Sequence, residues 1–551
     1  MKRKTTTLIA SAFIASFALA AGFAIGLAQP KVVEVNAEMS GSGTKANPFL
    51  IETTEDLGEV ISNVNTAAND YNGKYLKLTD DISITLGSTT NGRTFRGHLD
   101  GDGHTITLST SATGTMVAMF NYVGGAGSVS NITFEGSLTT PSNYIATVCI
   151  YNNGTISNIT NNCVLGSTSS SATCVGGVAS VTKASSSNIS NCINNAAIYA
   201  QKYAGGIVGN QQYGTINDCI NNGNITTSST AAGGIVGLTG MSTAKANVSI
   251  NGCINNGAVS GTGQVGGIAG GVFPCLTVSN CQNYGDLTTS GNAGIGGLVG
   301  LVNSVSNDKV TYTDEDEILT ITNSYGAGTI TTSAGWAGGL FGYALGDGYG
   351  TINFDNVVSA ARVVCTTTNS GIGGFMAGQN STNATFKLNK CITMASVSFS
   401  GNNNYSIGIG LAKTRVVTNT LSNIEISDFN KGFELSPSTL ALIKAVREFN
   451  CSYDSDMLNT ISDGLDALTS DEEIVLASAT YYDAHDVNKS YYDSAVYAKA
   501  YLTYLQNNLG GVIGFFSNNN NHAGIIVLIV VSTLLITSAG VIILKKKKEI
   551  K

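Results

Sequence analysis

The chain of 551 residues carries 28 Lys and Arg against 36 Asp and Glu, a net charge of -8, with 66 glycines and 5 prolines. With 42% hydrophobic residues and sparse charge it is not composed like a disordered protein, and its mild acidity argues against nucleic acid as a partner. An ordered β structure rich in hydroxyl and amide side chains is the expectation.

Residues 1–37 read as a secretory signal. Lys2-Arg3-Lys4 precedes the apolar run Leu8 to Leu27, and Val35-Asn36-Ala37 offers small residues for cleavage before Glu38, with Ala28 as a second candidate. An uncleaved anchor is the alternative. Residues 38–130 are expected to form an N-terminal cap and the first coils of a β-helix. Here "GTKANPFLIETTEDL", "YLKLTDDISI" and "FRGHLDGDGHTITL" resemble the opening coils of bacterial surface β-helices. Thr53 or Thr54 can cap a helix running to about Asn69, with Glu55 and Asp56 in its first turn.

From 131 to 430 the sequence repeats itself. Glycine pairs stand at Gly176-Gly177, Gly205-Gly206, Gly233-Gly234, Gly266-Gly267, Gly296-Gly297, Gly338-Gly339 and Gly373-Gly374, spaced by 29, 28, 33, 30, 42 and 35 residues. Such periods mark a solenoid, propeller or array. Each unit shows two short apolar strands and Asn-Asn-Gly turns, with no amphipathic helix between them, which favours a β-solenoid. Stacked coils turn equivalent positions into ladders. Cys192, Cys219, Cys253, Cys281 and Cys391 share one slot with Ile132 and Ile159, which favours buried thiols, a disulfide between adjacent coils being the alternative the stacking distance allows. Asn222, Asn256 and their equivalents are expected to stack as amide ladders or hold turns, and the glycine pairs to serve positive φ or close backbone approach.

These units resemble the GLUG repeat, as in Gly297-Leu298-Val299-Gly300 and Gly339-Leu340-Phe341-Gly342, over roughly residues 130 to 412. The resemblance implies a right-handed parallel β-helix on a bacterial surface protein. GLUG repeats also occur in secreted immunoglobulin-cleaving metallopeptidases, whose His-Glu-x-x-His motif this chain lacks.

Beyond 430 the pattern changes. Residues 431–510 show helical spacing at Leu440, Ile443, Val446 and Phe449, and again at Leu458, Ile461, Leu465 and Leu468, and read as a small helical domain. A polar linker, 511–523, leads to the charge-free stretch 524–544, long enough to span a bilayer as a helix. The basic tail 545–551 then stays inside, so the body faces outward from the cell membrane.

Chemistry is thin along the repeats. Between Asn131 and Asn307 the acids are Glu135, Asp218 and Asp286, each in a different coil, so the paired carboxylates of a glycosidase or the calcium cluster of a lyase are not offered. Asp100 and Asp102, beside His104, are weak candidates for a metal, with a tight turn as the simpler account. The acidic run Asp314 to Glu317, with Asp308 and Tyr312, lies in the one long interval between glycine pairs. It suggests an exposed insertion in which Asp308, Asp314 and Asp316 are weak candidates for calcium. Gly261-x-Gly263-x-x-Gly266 matches a dinucleotide fingerprint only in letters, since no helix follows it. No catalytic residue and no resident cofactor are expected. The sequence points to an adhesin or stalk that binds an extracellular glycan or a host or matrix protein. The alternatives are a carbohydrate-active β-helix enzyme or a structural envelope component.

Overall fold

The computed structural model describes residues 39–422 apart from short stretches, chiefly 304–311, 313–315, 345–349, 367–371 and 401–408. The expected signal 1–37, helical domain, linker, membrane span and basic tail lie outside the described residues. Among those described, no helix is long and apolar enough to cross a membrane.

The strands of the described residues form three parallel sheets of 31, nine and eleven strands. One coil shows how. Strands Gly214–Asn217, Ile220–Asn221 and Ile225–Thr227 lie in the large sheet, Ala231–Gly233 in the nine-stranded sheet and Val236–Thr239 in the eleven-stranded sheet. Each pairs with its counterpart one repeat later, through Ile216↔Ile250, Ile220↔Ile254, Ile225↔Val259, Gly233↔Gly266 and Val236↔Ala269. The sequence repeat is therefore one turn of a parallel β-solenoid. A coil holds five short strands where apolar pattern alone suggested two, because two-residue strands carry no periodicity to read.

The bend between the first two strands is made by a single left-handed residue. Asn131, Asn158, Asn191, Asp218, Gly252, Asn280 and Asn323 fill this place at φ 58, 54, 53, 53, 66, 54 and 48°. Asn, Asp and Gly are the residues that tolerate this conformation at least cost. The next residue turns inward and forms the predicted ladder of Ile132, Ile159, Cys192, Cys219, Cys253 and Cys281, all essentially fully buried, with the cysteines free. Burial pushes the Cys192 and Cys253 thiols up, so they remain protonated. Cys391 lies outside the described residues.

Two amide ladders flank the bend, and their hydrogen bonds run in opposite directions. Inside, the side-chain amides of Asn161, Asn194, Asn221 and Asn255 each donate to the next coil's Asn, ending at Asn283, at 2.6 to 2.7 Å. Outside, Asn256, Asn222 and Asn195 each donate back to the coil before, ending on Asn162, at 2.8 to 2.9 Å. Buried amides persist only when satisfied in this way.

None of the paired glycines from Gly176 to Gly339 has positive φ; close approach is their whole role. A Cβ on Gly206 would stand 2.5 Å from the Asn221 side-chain oxygen. The third glycine of the repeat does the same on another side, since a Cβ on Gly237 would stand 2.8 Å from the Ala204 nitrogen and oxygen. The nine- and eleven-stranded sheets thus fold back on one another at backbone contact, and all four residues of Val236–Thr239 are buried.

At the N-terminal end a helix, Thr54–Thr66, buries Leu57, Val60 and Val64 against the first coils. The Thr53 hydroxyl accepts from the Asp56 N–H at 3.1 Å, and the Asp56 carboxylate accepts from the Thr53 N–H at 3.0 Å. Of the two caps the sequence offers, this reciprocal arrangement selects Thr53, and the helix stops three residues short of Asn69, at left-handed Ala67. The strand stack then continues through residue 130 without interruption.

Candidate ligand-binding groove

On the first strand of each coil, apolar residues turn inward and hydroxyls outward, as strand alternation requires. Ile216, Ile250, Val278 and Ile321 are buried in one register, while Thr215, Ser249, Thr277 and Thr320 form an adjacent register on the outer surface. This hydroxyl column, with Ser185, Asn247, Cys275 and Glu317 beside it, lines an open groove of about 450 Å³. Repeated hydroxyls at about 4.8 Å suit a ligand that itself repeats polar groups along its length.

Of the long interval between Gly296 and Gly338, Glu317 and Thr320 line this groove. Chain returns to the sheet at Glu317–Thr322, where the register shifts between Glu317 and Leu319 as a bulge. Asp316 meets Lys245 with both carboxylate oxygens, at 2.8 and 2.9 Å, and its carbonyl accepts from the Thr351 N–H. The Lys245 ammonium also stands 4.9 Å from the centre of the Tyr312 ring. Cys275, left-handed at φ 81° and part exposed, borders the groove; burial raises its thiol and the Tyr312 hydroxyl alike. Glu317 accepts from the Thr320 hydroxyl at 3.1 Å.

Of the metal candidates in this insertion, Asp308 and Asp314 lie outside the described residues. Asp316 is engaged by Lys245. The second candidate pair is dispersed among separate partners. Asp100 accepts from the Asp102 N–H at 2.9 Å and from the Asn131 amide at 2.8 Å, which is a turn held to the next coil. Asp102, at φ 50°, pairs with Lys77 at 2.8 Å, and His104 faces Asp81 at 3.3 Å. Among the described residues no group of three or more His, Cys, Asp or Glu side chains is placed to hold a metal ion. Glu135, Asp218 and Asp286 sit in separate coils, and Gly261 to Gly266 joins two strands rather than opening a helix.

Two surface features escaped the sequence reading. The hydroxyl column is visible only once the register is known, because its members are separated by unequal intervals. Aromatic residues also gather on the surface: Tyr122 meets Tyr151 of the next coil with tilted rings 4.6 Å apart at their centres, and Trp336 stacks on Tyr343 of its own coil at 4.4 Å.

No protein-family model matches the chain. Over 142 residues, 23% of this chain, the sequence is 33% identical to halomucin of Haloquadratum walsbyi (strain DSM 16790 / HBSQ001). The chain spans 2% of the length of that curated relative. A crystal structure from Bacteroides ovatus, of a protein proposed to be an immunoglobulin A1 protease, aligns with 59% of this chain and 79% of its own. The TM-score is 0.32 and the identity 18%, a level of likeness that carries no functional argument.

Proposed function

We propose that this chain is a GLUG-type, right-handed β-helix protein, anchored in a bacterial cell membrane by one C-terminal helix and displayed on the outer face. It acts as an adhesin or stalk that binds an extracellular glycan or a host or matrix protein, and it is not an enzyme. Right-handed winding follows the general rule for parallel crossovers. The observation that carries the reading is the groove lined by the in-register hydroxyls of Thr215, Ser249, Thr277 and Thr320. Such a column presents direct hydrogen-bonding partners on a rigid wall, which is how binding surfaces gain preorganisation.

The test is an array of glycans and matrix proteins probed with the full-length protein. Thr277 is exposed at the centre of the column, so Thr277→Arg fills the groove without touching the core. The expected result is saturable binding that Thr277→Arg weakens by about tenfold or more, the loss of roughly 1.4 kcal/mol. Release of reducing ends or unsaturated sugars from a polysaccharide panel, lost in the same variant, would instead make the groove a catalytic site.

A further inference from the structure

The N-terminal coils carry a second surface, remote in sequence from the insertion. In later coils Gly209 and Gly237 let the nine- and eleven-stranded sheets close against each other. In the first coils the same row holds the larger side chains of Asn121, Ile150 and Ser180, all buried. Tyr144 and Tyr151 pack on a buried cluster of Ala118, Ala146 and Ile150, with ring centres 6.0 Å apart, and Tyr122 of the coil before meets Tyr151 with its ring tilted. Tyr203 stands two coils after Tyr144 in the same row, and all four rings remain part exposed.

Charge around this tier is one-sided. From Gly103 to Asn217 the sole acidic residue is Glu135, and its carboxylate is held by Asn162 on the outer amide ladder, at 2.7 Å. The same stretch supplies Lys183 and Lys202, both exposed. Lys183 follows the strand Ala179–Thr182 and lies 4.1 Å over the Tyr151 ring; Lys202 immediately precedes Tyr203. No described carboxylate pairs with either lysine. In a molecule of net charge -8, such a region is a local positive field beside flat aromatic faces.

We infer that the tier of Tyr122, Tyr144, Tyr151 and Tyr203, flanked by Lys183 and Lys202, binds an acidic polysaccharide. The C–H faces of its sugars lie on the rings, and its carboxylate or sulfate groups meet the lysines. Tyrosine supplies a rigid, amphipathic contact at low entropic cost, and a lysine already held over a ring is oriented for an anion. In one row Tyr122 and Tyr151 stand on successive coils, about 4.8 Å apart, and in the other Tyr144 and Tyr203 stand two coils apart with Cys174 between them, so a polymer can engage rings on more than one coil. The site deepens the extracellular-binding reading, on which its access to a polysaccharide rests, and it shares no residue with the groove, though Lys183 stands two residues from Ser185 at the groove's edge.

Retardation of the full-length protein in native gels containing polygalacturonate, chondroitin sulfate or neutral dextran tests it. Retardation by one or both acidic polymers, with dextran inert, is expected, and the choice between the two identifies carboxylate or sulfate. Lys183→Gln and Tyr151→Ala should each raise the apparent Kd by about three- to tenfold, the scale of a lost cation–π or stacking contact. Tyr151→Phe, which keeps the ring, should stay within about twofold of wild type and guards against misfolding. Thr277→Arg should leave this retardation unchanged. No retardation by either acidic polymer, equal retardation by dextran, or indifference to Tyr151→Ala would overturn the proposal. Groove binding on the array would survive that outcome untouched.

Discussion

Asp218 is the one acid in a register otherwise held by Asn and Gly, and this makes it a measurable irregularity. Its backbone is left-handed like theirs, but burial raises its carboxyl above the ordinary range. A group with a raised folded value binds its proton more tightly in the folded chain than in the unfolded one. Its contribution to stability is therefore fully present below the unfolded value of about 3.9, and is lost as pH rises through the folded value. Asp218→Asn restores the residue type of neighbouring coils and removes the charge. Thermal melts from pH 3.5 to 7 should show the variant's advantage growing with pH, to a rise of a few degrees at neutrality. A constant difference across that range would mean the carboxylate is not penalised in the fold. At this scale the sequence was half legible. Asn-Asn pairs announced ladders, yet nothing in the letters said that Asn221 points inward and Asn222 outward. Only the left-handed residue three positions earlier decides that.

Among the elements, helix and glycine corner respond oppositely to the same substitution. Gly58 lies within the helix Thr54–Thr66 with no atom within 4 Å of a Cβ placed there, whereas a Cβ on Gly237 meets the Ala204 backbone at 2.8 Å. Gly58→Ala should stabilise by roughly 0.5–1 kcal/mol through lower unfolded-state entropy. Gly237→Ala should cost at least about 1–3 kcal/mol, because neither strand can retreat without breaking its sheet. Chemical denaturation of the two variants checks both signs together. The helix start was legible because Thr53 and Asp56 stand at cap spacing. The fold-back of two sheets was not, since close backbone approach and positive φ ask for the same residue and leave the same letter.

For the whole molecule, period was legible and register was not. Glycine pairs recurring every 28 to 42 residues gave away the solenoid, but the unequal spacing hid which surface residues become neighbours. The hydroxyl column of the groove depends on that register, so covalent trapping of surface pairs in its coils tests it most directly. Thr226 and Ser260, 34 positions apart in sequence, face each other with hydroxyls 3.1 Å apart. Thr288 and Thr331 pair in the same row across the long interval. Their strands lie within the distance a disulfide needs, as a parallel neighbour at about 4.8 Å satisfies the usual Cα separation of roughly 4.4–6.8 Å. Mild oxidation of Thr226→Cys/Ser260→Cys and of Thr288→Cys/Thr331→Cys should give intramolecular disulfides in both, seen by mass spectrometry of the digested protein. Thr226→Cys/Thr288→Cys, two coils apart, should give none. Failure of the pair spanning the insertion, with Thr226→Cys/Thr288→Cys closing instead, would show that these coils stack in another register and that the hydroxyl groove does not exist as described.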